Sequence, residues 1–252
     1  MGSPEELVPG TDSFADSFLV RTEGLTRVYR VGTREVRALQ DVDLAVGAGR
    51  FVALRGRSGS GKTTLLNCIG GLDRPSAGRV WLEGKDMTRM SEWRRVRLRR
   101  HRIGFIFQSY ALLPTYSAWE NVDLMLRLSG MGRRGRRRRV DHVLQLVGLL
   151  KWAGHRPFEL SGGQQQRLAI ARALATRPAL ILADEPTGEL DSATGQKILE
   201  LLRQVVDHES TTLLLATHDL TVDLFADQVY HLEDGRISDS SSTNPSLSSS
   251  SK

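Results

Sequence analysis

Short apolar runs bounded by glycine-containing turns alternate, along most of the chain, with segments of helical period. Residues 18–22 and 41–46 alternate polar and apolar side chains and predict strands. Residues 51–54 form a brief apolar run that feeds directly into a glycine-rich loop, after which Leu65, Leu66, Ile69 and Leu72 fall at helical spacing. Residues 180–183 and 213–216 are continuous apolar runs, the pattern of strands buried on both faces of a parallel sheet. Helical patterns over 164–176 and 195–207 accompany them. Strand and helix in alternation argue for an α/β core. The middle differs: from about 111 to 158 the periods are helical (Val122, Leu126; Val143, Leu144, Val147) and no strand signal intervenes, so a helical insertion in the core is expected. No internal repeat is visible. Residues 1–17 mix Gly, Pro, Ser and acids without period and read as a disordered lead-in; residues 239–252 are nearly all serine and read as a disordered tail. The folded domain is therefore expected over 18–238.

Composition narrows this picture further. The 252 residues are 40% hydrophobic and 25% charged, ordinary for a soluble globular chain. No apolar run approaches the roughly 20 residues of a membrane-spanning helix, and the start lacks a secretory pattern. The expectation is a cytosolic chain that deals with membranes through a partner. The one cysteine, Cys68, lies on the apolar stripe of Leu65, Ile69 and Leu72 and is expected in the core. The net charge of +6 is concentrated in two clusters, one at Arg94, Arg95, Arg97, Arg99, Arg100 and Arg102, the other at Arg133, Arg134 and Arg136 to Arg139. These are either solvated helix faces or docking sites for anionic lipid headgroups or an acidic loop of a membrane partner. Few aromatics interleave with the second cluster, which counts against single-stranded nucleic acid.

Candidate chemistry begins at Gly56, Arg57, Ser58, Gly59, Ser60, Gly61, Lys62 and Thr63, which fit G-x-x-x-x-G-K-[ST] at every defined position. Glycines let consecutive backbone N–H groups turn inward around phosphate oxygens. The N-terminus of the next helix favours the same anions. Lys62 adds a charge for the β- and γ-phosphates and the Thr63 hydroxyl a ligand for Mg²⁺. A nucleotide site is expected here, with Thr64 beside it. Farther on, the apolar run ending at Ala183 is capped by Asp184 and Glu185. At the carboxyl end of a sheet strand such acids face the ligand crevice. Asp184 suits Mg²⁺, and Glu185 suits a general base that polarises an attacking water.

The most discriminating stretch is Leu160, Ser161, Gly162, Gly163 and Gln164. It is a second helix-opening turn of anion-binding character, with no lysine. One chain has no need of two such sites on one nucleotide, whereas two chains arranged head-to-tail do. With this stretch, the chain resembles the ATPases of ABC transporters from about 18 to 237, with the motifs in that family's order. The resemblance implies a P-loop NTPase (RecA-like) α/β core with an N-terminal antiparallel β subdomain and an inserted helical subdomain, acting on ATP with Mg²⁺. It implies that Tyr29 stacks on adenine and that Gln108 touches Mg²⁺ and water. It also implies that His218 contacts the γ-phosphate and that Asp191 crosses a dimer interface, with Ser161 to Gln164 closing the partner's site. Expected partners are a second copy and integral membrane permease subunits. That places the chain as a peripheral subunit on the cytoplasmic face of the inner membrane, with no nucleic acid expected.

Residues 69–75, 103–108 and 112–115 resemble one bacterial group, that of macrolide exporters, lipoprotein-release systems and the cell-division complex. In that group ATP closure is thought to move an extracytoplasmic domain mechanically. Two departures stand out. Glu189 replaces the usual Asn, and Tyr116 and Trp119 replace smaller aliphatics where a permease segment should dock. A soluble ABC ATPase acting on DNA or the ribosome is the alternative; a P-loop kinase or GTPase is not, given the 160–164 stretch.

Overall fold

The computed structural model describes residues 18–242; the expected disordered lead-in at 1–17 and the tail from 243 onward lie outside the described residues. Two sheets share one helix between them. The first sheet is antiparallel, with β1 (Phe18–Val31), β2 (Arg34–Gly47), β4 (Ala77–Leu82) and β5 (Lys85–Asp86) in the order β2-β1-β4-β5. The second has the order β10-β9-β3-β8-β7-β6. There β3 (Phe51–Arg55), β6 (Ile103–Ile106), β7 (Leu180–Asp184), β8 (Thr212–Thr217) and β9 (Gln228–Glu233) run parallel, and β10 (Arg236–Ser242) closes the edge antiparallel.

The period of two along the central strands explains how this sheet is covered. Val52 and Leu54 of β3, Leu180 and Leu182 of β7, and Leu214 and Ala216 of β8 face the first sheet. The helix packed there is α1 (Lys62–Ile69), through Leu65, Leu66, Cys68 and Ile69. The alternate residues Phe51, Ala53, Ile181, Ala183, Leu213 and Leu215 face the other way, onto α5 (Gly162–Leu174) and α6 (Ser192–His208). Burial on both faces is why these strands read as unbroken apolar runs. Each fully buried Leu contributes about 1.5–3 kcal/mol relative to exposure. Cys68 lies in this core, and burial pushes its thiol up to about 12.

The segment between β6 and α5 is helical as expected: α3 (Ala118–Leu128) and α4 (Arg133–Leu146), then short 3-10 turns at Leu150–Trp152 and Pro157–Glu159. Ser117 and Glu120 form a capping box that fixes the start of α3. The first arginine cluster lies on α2 (Glu92–Arg102). Several boundaries differ from the sequence reading: α1 stops at Ile69, leaving Leu72 beyond it and exposed, and α5 and α6 begin two to three residues earlier than their apolar periods. Residues 239–242, assigned to the serine tail, pair with β9, because a sheet edge needs only backbone donors and acceptors. The first two strands run to 14 residues each, with register shifts that break the alternation between Thr22 and Val28.

Candidate functional site

Four parallel strands, β3, β8, β7 and β6, end side by side, and the segments leaving their carboxyl ends build one cleft, Gln108 being the contribution after β6. After β3 comes the loop from Gly56 into α1. Gly61 caps α1 at φ +108°, and a Cβ there would meet the Ala38 carbonyl oxygen at 2.4 Å. A Cβ on Gly56 would meet the Leu232 carbonyl oxygen at 2.3 Å. Both glycines are therefore dictated by close approach of backbone from other strands. Lys62 is only 6% exposed; its ammonium donates to the carbonyls of Gly56 (2.8 Å) and Arg57 (3.1 Å) and lies 3.5 Å from Glu185 Oε1.

After β7 come Asp184 and Glu185. Burial holds the Asp184 carboxyl above the usual carboxylate range, and a hydrogen bond from Thr63 partly opposes this. Its Oδ1 is buried without a hydrogen-bond partner. Glu185 takes a left-handed backbone (φ 45°) fixed by its N–H on the Ala216 carbonyl (2.9 Å). That conformation, uncommon outside glycine, turns its side chain toward the end of β8. There the Thr217 hydroxyl donates to Oε2 (3.0 Å) and His218 Nδ1 stands 3.1 Å from both carboxylate oxygens. The resulting cleft, about 380 Å³, is lined by Ser58, Gly59, Gly61, Lys62, Thr63, Thr64, Gln108, Asp184, Glu185 and His218, and by 36–38 of β2. Lysine, hydroxyl, buried carboxylate and hydrogen-bonded glutamate on one wall form a set suited to holding a phosphate chain and activating water.

The remaining expected residues lie elsewhere. Tyr29 is outside the cleft lining: its hydroxyl donates to Asp73 Oδ2 (2.6 Å) and Arg27 sits over its ring, 4.3 Å from the centroid. Ser161, Gly162, Gly163 and Gln164 do not line the cleft of their own chain. They open α5 through a capping box, Gln164 N–H donating to Ser161 Oγ (3.4 Å) and Ser161 N–H to Gln164 Oε1 (2.9 Å). Asp191 caps α6 by accepting from Thr194 N–H (2.9 Å). Gly163 is pressed against that same turn, since a Cβ on it would meet Thr194 Cγ2 at 2.7 Å.

Matching the family model, residues 39–188 fit the description "ABC transporter". The chain belongs to the ABC transporter family. It is an ATP-binding, ATP-hydrolysing domain of that family. The lipoprotein-releasing system ATP-binding protein LolD of Ruegeria sp. is 48% identical over 86% of this chain and 96% of its own length. The macrolide export ATP-binding/permease protein MacB of Agrobacterium fabrum is 44% identical over 87% of this chain, which spans 34% of that longer protein. Among solved structures, the cassette MJ0796 of Methanocaldococcus jannaschii, a dimer in a post-hydrolysis state bound to ADP and Pi, superposes with a TM-score of 0.82. It is 40% identical and covers 89% of this chain and 99% of its own. No helix among the described residues of this ABC-family ATPase is long and apolar enough to cross a membrane.

One positioning residue had no sequence signal. Arg172, on α5, donates to the carbonyls of Tyr110 (2.9 Å) and Ala111, and burial lowers its pKa. Tyr110 also lies against the start of α5, its hydroxyl 3.3 Å from where a Gly162 Cβ would be. The segment after Gln108 is thus fastened to α5 at both ends of that helix. An arginine in the last turn of an alanine-rich helix gives no local hint of such a contact. Glu189 makes no ion pair among the described residues, and with burial it raises the Tyr110 hydroxyl pKa.

Proposed function

We propose that two copies of this ATPase close head-to-tail over two ATP molecules and thereby drive a membrane permease of the mechanical-transmission, export type. The observation that carries this reading is the separation of the two anion-ready turns. The turn at Gly56–Thr63 lines the cleft, whereas Ser161 to Gln164 open α5 away from it. A second chain in inverse orientation brings its 161–164 turn onto the open side of the first chain's nucleotide.

In this reading the loop amides and Lys62 hold the phosphates, with Lys62 exchanging its loop carbonyls for phosphate oxygens. Tyr29, pinned by Arg27 and Asp73, is offered to the adenine. The Thr63 hydroxyl, Asp184 and Gln108 would hold Mg²⁺, and the buried, unpartnered Oδ1 of Asp184 fits a metal-bound water or the ion itself. When bound, the ion neutralises charge building on the β- and γ-oxygens. Glu185 takes the proton of the attacking water, and His218, tied to Glu185, faces the γ-phosphate. Asp191, at the start of α6, belongs to the surface that meets the second chain. The permease reaches the region of Tyr116 and Trp119, after Gln108, and holds the ATPase on the inner face of the membrane.

The test is pairing in mixtures. In a Glu185→Gln background, Lys62→Ala protein and Ser161→Arg protein are each expected to stay monomeric with ATP. Mixed together they form one complete site and give an ATP-dependent dimer by light scattering. A mixture no more dimeric than its components would overturn the head-to-tail arrangement.

A further inference from the structure

We propose that the outward face of α4 is a docking surface for anionic lipid headgroups. This step rests on the permease-partner reading for its placement, but its chemistry stands on α4 itself.

The run of arginines at the start of α4 looks uniform in sequence, and the fold divides it by face. Arg136 donates to Asp123 (2.6 Å) and to the Met131 carbonyl (3.1 Å). Arg139 is buried, bonded to the Leu174 carbonyl (2.8 Å) and paired with Glu209 (3.0 Å). Both hold the helix to its neighbours. Arg133, Arg134, Arg137 and Arg138 point outward, are exposed, and make no ion pair among the described residues.

These four are placed against their own electrostatics. Arg133 with Arg137, and Arg134 with Arg138, are like charges at i,i+4, which repel. They crowd the first turns of a helix whose N-terminal end is already positive and whose first turn has no acid. No carboxylate among the described residues forms an ion pair with them: Asp141, one turn beyond Arg137 on α4, accepts from the Trp119 indole N–H instead (3.1 Å). Asp123 is taken by Arg136 and Arg127, and Glu120 accepts from the Ser117 N–H in the capping box. Six arginines and only two carboxylates line the open depression, about 970 Å³, between α3 and α4. An anionic partner offsets what the protein leaves uncompensated.

The spread of the charges selects the partner. From 133 to 138 the helix rises about 7.5 Å, and at about 100° per residue the four side chains fan over roughly 140° of its circumference, so they spread over a surface rather than close around one small anion. They suit several phosphates arrayed in a plane. One aromatic, Trp119, lines the same depression, half-buried with its indole N–H on Asp141 Oδ1 (3.1 Å); no succession of rings stands among the four to stack consecutive bases, as single-stranded nucleic acid would require.

Position agrees. One face of α3 (Asn121, Leu124, Met125, Leu128) lines an apolar groove shared with α2 and β6. The other (Trp119, Glu120, Asp123, Arg127) lines the arginine depression. A permease segment in the groove would bring the arginine face to within about one helix diameter, roughly 10 Å, of it.

The experiment uses the full chain and vesicle flotation, comparing phosphatidylglycerol/phosphatidylcholine vesicles with phosphatidylcholine alone. The protein is expected to bind only the anionic vesicles and to release with salt. Replacing all four arginines by Gln should weaken partitioning by about fivefold per arginine, about 600-fold together. Replacing them by Lys should largely keep it. ATP turnover and ATP-driven dimerisation, measured alongside, should be unchanged in both variants, so failure of the ATPase reading is scored separately. Equal binding to the two vesicle types, or undiminished binding by the Gln variant, overturns the proposal. Tighter binding to duplex DNA at matched phosphate concentration overturns it in favour of a nucleic-acid partner.

Discussion

Replacing Glu185 by Gln removes one charge and almost no volume. In the fold the carboxylate accepts from Thr217 (3.0 Å), meets His218 Nδ1 (3.1 Å) and lies 3.5 Å from Lys62. The amide oxygen keeps the Thr217 bond, and the amide N–H group can face His218 Nδ1 as an acceptor, so the geometry survives. What changes is charge. At an effective dielectric of about 20, a pair separated as Lys62 and Glu185 are attracts by about 5 kcal/mol before desolvation. Burial of both groups takes back much of that. Losing this attraction frees Lys62 for incoming phosphates, so ATP affinity should hold or rise. The chemical step, by contrast, loses a general base worth about 10²–10⁴-fold. That is about 3–5 kcal/mol of barrier at about 1.4 kcal/mol per tenfold. The assay is phosphate release under single-turnover conditions, with nucleotide binding and light scattering on the same samples. The expected result is intact binding, a closed dimer that persists with ATP, and turnover reduced by at least a hundredfold. Turnover within about tenfold of the parent, or loss of binding in step with turnover, would refute the role given to Glu185.

Two further outcomes are expected. Gly61→Ala forces an L side chain into φ +108° with its Cβ 2.4 Å from the Ala38 carbonyl oxygen, a strain of about 1–3 kcal/mol. The thermal midpoint should fall by about 2–4 °C per kcal/mol and ATP binding should weaken; an unchanged melt and affinity would show that the loop yields at no cost. At Glu209 burial raises the carboxyl pKa, but the His142 hydrogen bond and the Arg139 charge outweigh it, holding the group below its ordinary 4.5. A folded-state value below the unfolded one means this stabilisation is complete above about pH 4.5 and is lost as pH falls through the lower folded value. Glu209→Gln should lose about 1–3 kcal/mol near neutrality, leaving buried Arg139 short of its carboxylate. Denaturant melts across pH should show a flatter acid limb for the variant, and an acid limb as steep as the parent's would contradict the linkage.

Legibility depended on the range of the contacts. The α5 start was readable because its turn closes within four residues, Ser161 with Gln164; the α3 start was not read, although Ser117 and Glu120 make a capping box at the same spacing. The central strands were readable because burial on both faces leaves no room for polar residues. The strand β10 was not, since its serines carry no apolar signal and its place comes from backbone bonds to β9. The register shifts in β1 and β2 hid most of both strands. Nor could the sequence sort Arg136 and Arg139, which hold α4 in place, from the four arginines beside them.

The chemistry of each local piece is written in the order of residues along the chain: a phosphate-binding loop entering a helix, an Asp-Glu pair ending an apolar strand, and a glycine-rich helix start without lysine. Each depends on backbone conformations that residues only a few positions apart impose on one another. The fold brings Lys62, Asp184, Glu185 and His218 into one cleft and leaves Ser161 to Gln164 outside it. It alone seated Tyr29 against Asp73 and fastened Arg172 to the loop after Gln108. Those outcomes depend on which strands lie side by side, and strand order is fixed by packing between residues far apart in the chain.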